Sequence, residues 1–276
     1  STPSSSSPST PMSAAGAEPA VGAEPAALVG AAPLLTVRVD RKVYAKRGGK
    51  AGTEAVEAVS GLAFDLQAGE ITCLIGPSGA GKTTTLRILL GLDRDFEGAV
   101  TPEPSRAGMA MVFQEPRLLP WRSIEQNVRL GLPRADRARD LDDLFASLGL
   151  EPWRAHYPGA LSLGMQRRVA LARALALEPR ILVLDEPFVS LDDAAAASLR
   201  ALVVEAVARS GTSVLMVTHN VAEAIEIADR LLLVSPRPAR LLASLPLDRP
   251  RPERDRAWAD ETRRNLAARF PGIVAQ

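Results

Sequence analysis

A glycine-rich loop of eight residues, Gly76 to Thr83, constrains this chain more than any other stretch of its sequence. The loop fits the pattern G-x-x-x-x-G-K-[ST] without a mismatch. The apolar residues 71–75 before it predict a buried strand, and residues 84–90 after it predict a helix that ends near Gly91. Strand, glycine loop and helix in this order predict a phosphate-binding site rather than an ordinary turn.

The residue types in the loop suit the binding of a nucleotide triphosphate. Glycines allow backbone torsions that side chains would forbid, so the N–H groups of the loop can point inward at phosphate oxygens. The Lys82 ammonium adds positive charge for the β- and γ-phosphates, and the Thr83 hydroxyl is a ligand for Mg²⁺. The residues expected to bind the nucleotide here are Gly76, Pro77, Ser78, Gly79, Ala80, Gly81, Lys82, Thr83 and Thr84.

Composition limits the class of protein. Of 276 residues, 46% are hydrophobic, which suits a sizeable core. Lys and Arg total 33 against 32 for Asp and Glu, so the basic excess typical of a nucleic-acid binder is missing and no nucleic-acid partner is expected. The single cysteine, Cys73, excludes a disulfide within one chain. No apolar run approaches the roughly 18 residues that span a bilayer.

The chain divides into three regions by composition. Residues 1–33 are rich in Ser, Pro and Ala, lack the features of a secretory signal, and are predicted to be a disordered leader. Residues 34–245 carry the alternating strand and helix patterns of one folded domain. Residues 246–276 are predicted to be a helical tail, whose Arg-rich part, Arg249 to Arg269, we interpret as a solvated appendage.

The strand patterns predict an α/β fold with three layers. Residues 35–39 and 62–66 alternate apolar and polar side chains, which predicts an early pair of antiparallel strands with a loop at 46–53 between them. Further buried strands are predicted at 109–113, 181–184, 213–217 and, as the last, 231–234. Helices are predicted at about 165–176, from the N-cap Asp192 to Gly211, and after the N-cap Asn220. A polar helical subdomain is predicted at about 115–165, with Ile124, Val128 and Leu130 at its beginning.

A second group of charged residues follows the apolar run at 181–184. Asp185 and Glu186 stand where a buried strand delivers carboxylates to a phosphate site. Asp185 would hold Mg²⁺ through water, and Glu186 would orient or deprotonate the water that attacks the γ-phosphate. An acidic loop after a core strand is the alternative, and the phosphate loop argues against it.

The chain resembles the ATP-binding subunits of ABC transporters over residues 34–245, because several motifs of that family occur here in its order. These are the phosphate loop Gly76–Thr83, Gln114 at the Q-loop, Leu161–Gln166 in place of the LSGGQ signature, the Walker B pair Asp185–Glu186, the D-loop Ser190–Asp192 and the switch histidine His219. The resemblance implies a P-loop NTPase fold with a small antiparallel β subdomain and an inserted helical subdomain.

The resemblance also implies the cofactors ATP and Mg²⁺ and a role for each matching residue. Lys82, Gln114, Glu186 and His219 would be catalytic. Thr83, Gln114 and Asp185 would bind the metal. Ser162 and Gly164 would contact the ATP held by a second copy of the chain. Tyr44 would stack on adenine, although a purely structural tyrosine is a close alternative.

The signature departs from the family pattern at two positions. Leu163 replaces its first glycine and Met165 replaces its glutamine, whereas Ser162 and Gly164 remain. A hydroxyl and the free N–H groups of a helix N-terminus suffice for contact with a γ-phosphate, so we expect function to survive. A degenerate, inactive site is the competing interpretation.

The segment Phe113 to Ser123, with its Leu-Leu-Pro-Trp, is similar to that of importers for nitrate, sulfonates and taurine. This narrower resemblance implies a peripheral subunit on the cytoplasmic face of the inner membrane, with integral membrane permease subunits, a second copy of itself and a periplasmic substrate-binding protein as partners. Three alternatives stay open at this point: the ATPase of a split exporter or lipid transporter, an ABC ATPase outside transport, and a non-catalytic regulatory module. The last of these would predict loss of Glu186 or His219, and both are present.

Overall fold

The computed structural model describes residues 32–45 and 55–274. The predicted leader, except for Ala32 and Pro33, and the predicted loop at 46–53 lie outside these residues. Among the helices of the described ranges, none combines the length and the apolar character needed to cross a membrane.

The described residues form nine strands and eight α-helices. The strands are β1 (Leu35–Ala45), β2 (Ala55–Leu66), β3 (Ile71–Ile75), β4 (Glu97–Thr101), β5 (Met109–Val112), β6 (Ile181–Asp185), β7 (Ser213–Thr218), β8 (Arg230–Val234) and β9 (Leu241–Pro246). The helices are α1 (Lys82–Leu89), α2 (Ile124–Val128), α3 (Asp142–Ser147), α4 (Leu163–Leu175), α5 (Asp193–Ser210), α6 (Val221–Ile227), α7 (Arg256–Arg269) and α8 (Pro271–Val274).

Three strands make an antiparallel sheet in the order β2-β1-β4. Leu35, Val37 and Val39 of β1 are fully buried and alternate with polar residues, as a sheet with one face in the core requires. The predicted antiparallel pair is confirmed, and both strands are longer than predicted. A register shift after Lys42 lets β1 continue to Ala45 while it stays paired with β2.

The central sheet has six strands in the order β5-β6-β7-β3-β8-β9, and β9 is antiparallel to β8. The strands β3 and β7 are buried along their whole length, which explains their largely apolar sequences. Residues 231–234 were expected to form the last strand, and this was wrong because β9 follows. β9 is an edge strand that is only partly buried, so its sequence lacks a strong apolar pattern.

The two faces of the central sheet carry separate cores. Ile71, Cys73 and Ile75 of β3 face one core with the helices α4, α5 and α6, whereas Leu74 faces the other with α1 and the antiparallel sheet. The predicted three-layer α/β fold is therefore confirmed. Because the central strands are parallel, the segments that follow β3, β5, β6 and β7 all begin at one edge of the sheet.

Residues 115–165 consist of short helices and turns. Ile124 and Val128 of α2 and Phe145 of α3 are fully buried, whereas Leu130, which was expected with them, is 39% exposed. A Ser123–Gln126 capping box begins α2. An ion-pair network holds the segment together, in which Glu125 accepts from both Arg129 and Arg154.

The C-terminal segment is helical but is not a solvated appendage, and that prediction was wrong. Leu266 of α7 and Ile273 and Val274 of α8 are buried in the same core as α6. The Arg254 guanidinium donates hydrogen bonds to the carbonyl oxygens of Ile225 (2.9 Å) and Ala228 (2.7 Å). Ile225 lies in the last turn of α6 and Ala228 is its C-cap residue, so these carbonyls have no acceptor role within the helix and the arginine acts as a C-terminal cap.

Replacing Arg254 with Met should lower the free energy of unfolding by about 2 kcal/mol, because carbonyl oxygens at the end of α6 lose their donors. The matched control is Arg256→Met, since the Arg256 side chain is 97% exposed. Urea denaturation of both variants would measure the difference. Equal midpoints for the two variants would contradict the capping role of Arg254.

Candidate functional site

The glycine loop lies between β3 and α1 and presses closely against its neighbours. Gly81 has φ +103°, and a Cβ there would lie 2.5 Å from the Ala58 carbonyl oxygen. A Cβ at Gly76 would lie 2.5 Å from Cγ2 of Val234. Both positions therefore require glycine. The loop leads directly into α1, whose first-turn N–H groups are free to bind an anion.

Lys82 is buried inside this loop. Its Nζ donates hydrogen bonds to the carbonyl oxygens of Gly76 (2.7 Å) and Pro77 (2.9 Å). Burial lowers the pKa of Lys82, and the nearby carboxylates of Glu186 and Asp185 act in the opposite direction. The ammonium is thus held within the loop and lies in the field of the acid pair.

Asp185 ends β6, and Glu186 follows it. Burial raises the pKa of Asp185, and repulsion from Glu186 raises it further, while Lys82 and Arg117 oppose the shift. Two adjacent carboxyl groups in a partly buried site favour the binding of a further cation. Thr83, in the first turn of α1, and Gln114, two residues after the end of β5, are both exposed.

His219 follows β7, and its Nδ1 lies 3.2 Å from Oε1 of Glu186. Glu186 has a left-handed backbone with φ +45°, and its N–H donates to the Val217 carbonyl oxygen at 2.8 Å. The turn that carries His219 is fixed by Asn220, whose side chain caps α6. The structure therefore brings Glu186 and His219 together.

Ser162 is the N-cap of α4, and its Oγ accepts a hydrogen bond from the Met165 N–H. Gly164 lies in the first turn of that helix, where a Cβ would stand 3.2 Å from the Ala195 Cβ. Ser162 and Leu163 are exposed. Within residues 32–45 and 55–274, no hydrogen bond joins this helix end to the phosphate loop.

Tyr44 lies near the end of β1 and takes part in a cluster of side chains. Its hydroxyl donates to Oδ2 of Asp93 at 2.9 Å, and the Lys42 ammonium stands 4.7 Å from the ring centroid. Lys42 also donates to Oδ1 of Asp93 at 2.8 Å. Tyr44 thus has a structural contact, and stacking on adenine stays a prediction.

Three arginines near these residues were missed at the level of sequence. Arg173 donates to the carbonyl oxygens of Pro116 (2.8 Å) and Arg117 (2.9 Å), and so fixes the segment after Gln114. Arg237 donates to the Gly79 carbonyl oxygen at 3.1 Å. Arg167 contacts the segment after Asp185. Each contact joins distant parts of the chain through a backbone oxygen, which leaves no pattern in the sequence.

Comparison with known proteins gives a consistent result. The family model for the ABC transporter matches residues 59–189. The aliphatic sulfonates import ATP-binding protein SsuB 2 of Burkholderia cenocepacia is 39% identical over 246 residues, which cover 86% of this chain and 88% of that protein. SsuB 1 of Pseudomonas savastanoi pv. phaseolicola, of the same description, is 40% identical and covers 80% of this chain and 90% of its own length.

Two solved structures are similar in fold. The dimeric ATP-binding cassette MJ0796, in a post-hydrolysis state with ADP and Pi, has a TM-score of 0.64 and 26% identity, covering 78% of this chain and 99% of its own. The protein cbiO1 of Clostridium perfringens has a TM-score of 0.65 at 23% identity, covering 88% and 98%. At that identity, cbiO1 supports the fold alone.

Proposed function

Because the chain belongs to the family of ABC transporter ATP-binding subunits, we propose that it hydrolyses ATP to power an importer of aliphatic sulfonates or related small organic anions. The names of the relatives supply the cargo class, and the Leu-Leu-Pro-Trp segment agrees with it. The main support for ATP hydrolysis is that the Lys82 loop, the Asp185–Glu186 pair and His219 converge at one edge of the parallel sheet. The exporter and non-transport alternatives gain no support from the relatives.

The phosphate loop binds the triphosphate by an exchange of partners. The Lys82 ammonium leaves the carbonyl oxygens of Gly76 and Pro77 and pairs with the β- and γ-phosphates, and the negative phosphates favour its charged form. The N–H groups of the loop and of the first turn of α1 bind the remaining phosphate oxygens. The glycine positions keep this backbone close to the ligand.

The donor set at the edge of the sheet fits Mg²⁺, which prefers oxygen ligands and retains waters and phosphate oxygens. Thr83, Gln114 and Asp185 would hold the ion. Burial and the neighbouring Glu186 carboxylate raise the pKa of Asp185, and a bound cation would favour its charged form. When bound, Mg²⁺ neutralises charge on the β- and γ-phosphate oxygens.

Glu186 orients the attacking water and accepts its proton. Its side chain is 18% exposed, and Nδ1 of His219 lies 3.2 Å from its Oε1. From this position the imidazole would contact the γ-phosphate. Both residues sit on turns whose backbones are fixed by hydrogen bonds, so their geometry is set before the substrate arrives.

A second copy of the chain completes each site. Ser162 and Gly164 stand at the exposed N-terminus of α4, where a γ-phosphate held by the partner copy can be bound. Because such a site needs two closed subunits, hydrolysis can be linked to opening and closing of the dimer. We assign this cycle to a peripheral subunit at the cytoplasmic face of the inner membrane, bound to permease subunits that receive cargo from a periplasmic binding protein.

The helical region at 115–165 would carry the motion to the permease. A short segment separates Leu118 to Ile124 from Gln114, and in it Arg173 of α4 binds the carbonyl oxygens of Pro116 and Arg117. Within Leu118 to Ile124, Trp121 is 70% exposed. A large exposed aromatic residue is typical of a protein interface, so we expect a short helix of the permease to dock here.

The variant Glu186→Gln should lower ATP turnover about 100-fold or more, because it removes the general base. It should keep its affinity for MgATP and accumulate an ATP-bound dimer, which light scattering after size-exclusion chromatography would detect. Glu226→Gln is the matched control, since the Glu226 side chain is 55% exposed and pairs with Arg200 rather than with a residue of the proposed site. Unchanged ATPase activity in the Glu186 variant would rule out this role.

Tyr44 is tested by two substitutions. If the ring stacks on adenine, Tyr44→Ala should lose about 1–3 kcal/mol of binding free energy, or roughly 5- to 150-fold in affinity for ATP, and Tyr44→Phe should bind as the wild type does. If the residue serves only the contact with Asp93, both variants should lower the melting temperature and leave the affinity intact. Calorimetric titration and thermal melts distinguish the two outcomes.

Trp121→Ser should weaken co-purification with the permease subunits and leave the ATPase activity of the isolated chain unchanged, because the residue is not among those proposed to bind the nucleotide. Leu92→Ser is a suitable control, since Leu92 is also a largely exposed apolar residue but lies outside the proposed docking surface. Equal recovery of membrane subunits with both variants would show that the permease binds elsewhere.

A further inference from the structure

Arg167 of α4 is a buried cation with an unusual set of partners. Only 4% of the residue is exposed. Its Nη2 donates to the Val189 carbonyl oxygen at 2.7 Å, and its Nη1 approaches the Glu186 carbonyl oxygen at 3.4 Å. Its Nε is buried and has no hydrogen-bond partner within the described part of the chain.

No carboxylate compensates this charge among residues 32–45 and 55–274, and burial alone lowers the pKa of Arg167. A buried guanidinium without a counter-ion is unfavourable unless polar groups surround it. The two backbone carbonyl oxygens supply that polar environment. The position of Arg167 and the positions of these two carbonyls are therefore tightly linked.

The segment that Arg167 binds is the turn that carries Glu186. Two non-glycine residues in this turn have left-handed backbones, Glu186 with φ +45° and Ser190 with φ +64°. Such conformations persist only where the surroundings hold them. The Val217 carbonyl holds Glu186 from its N–H side at 2.8 Å, and Arg167 holds the same residue from its carbonyl side. Together these contacts fix the backbone of Glu186, whose Oε1 lies 3.2 Å from Nδ1 of His219.

We propose that Arg167 is a positioning residue for Glu186: its guanidinium holds the turn at 186–190 so that the carboxylate meets the attacking water. This inference rests on the proposed function, in which Glu186 is the general base. Arg167 touches neither nucleotide nor metal in this scheme, and it acts only through the backbone of the turn.

The test uses the full-length chain with substitutions at two adjacent arginines. Arg167→Gln removes the charge and the forked donor, and Arg167→Lys keeps the charge with a donor that reaches one carbonyl. Arg168→Gln is the matched control, because Arg168 lies on the same helix but donates to Leu148 and Ser198, outside the site. Thermal melts establish that each variant is folded.

We expect Arg167→Gln to lower kcat about 10- to 100-fold, the effect of a small misplacement of a reacting group. The KM and the equilibrium affinity for MgATP should change less than about 3-fold, because the phosphate loop is not altered. Arg167→Lys should recover part of kcat, and Arg168→Gln should keep it. In single-turnover measurements, Arg167→Gln combined with Glu186→Gln should be no slower than Glu186→Gln alone, because both changes remove the same step.

The outcomes separate the two proposals. A wild-type chain without MgATP hydrolysis refutes the proposed function, and this inference falls with it. An active wild type together with an unimpaired Arg167→Gln variant refutes this inference alone, as does an additional loss in the double variant. Should Arg167→Gln fail to fold, Arg167→Lys decides: a lower kcat at unchanged affinity supports the positioning role, and a wild-type kcat overturns it.

Discussion

The balance of charge between Lys82 and the acid pair Asp185–Glu186 is the interaction on which the site depends. The registers of the parallel strands create it. Ile75, directly before the glycine loop, pairs with Thr218, and Asp185 pairs with Val217, so β3, β6 and β7 end at nearly the same level. Three buried strands thus bring one ammonium, two carboxyl groups and an imidazole to one edge, where burial strengthens every charge interaction.

Arginines that bind backbone oxygens hold the segments around this centre. Arg167, Arg173 and Arg237 donate to carbonyls of the turn after Asp185, the segment after Gln114 and the phosphate loop. A planar guanidinium with five donors can satisfy several carbonyls at once, which a lysine cannot do. The same device closes the end of α6 through Arg254. Arginines in this chain therefore stabilise loops by donating hydrogen bonds to backbone carbonyl oxygens, in addition to those that only face solvent.

Local sequence patterns predicted the central strands and supplied the candidate residues of the site, because continuous apolar runs and glycine loops are recognisable from neighbours in the chain. They failed where structure depends on distant contacts. The edge strand β9 is only partly buried, and its pairing with β8 is what makes it a strand. The Arg-rich sequence of the C-terminal segment suggests a solvated helix, and only the fold shows that Arg254 binds the end of α6. Arg237 and Gly79 are separated by 158 residues, and only the fold brings them together.

The signature departs from its family pattern at side chains, whereas the contacts that shape this helix end are made by the backbone, by Ser162 and by Gly164. The Ser162 hydroxyl caps α4 through the backbone N–H of residue 165, so methionine serves as well as glutamine there. Gly164 packs against α5, and a larger residue would press on Ala195. Leu163 takes part neither in the Ser162 cap nor in the packing of Gly164 on Ala195, and it is 39% exposed. The helix end that would meet a partner's phosphate is therefore intact, and the leucine alters the surface that the partner meets. We therefore expect Leu163 to affect the closure of two subunits rather than the chemistry within one.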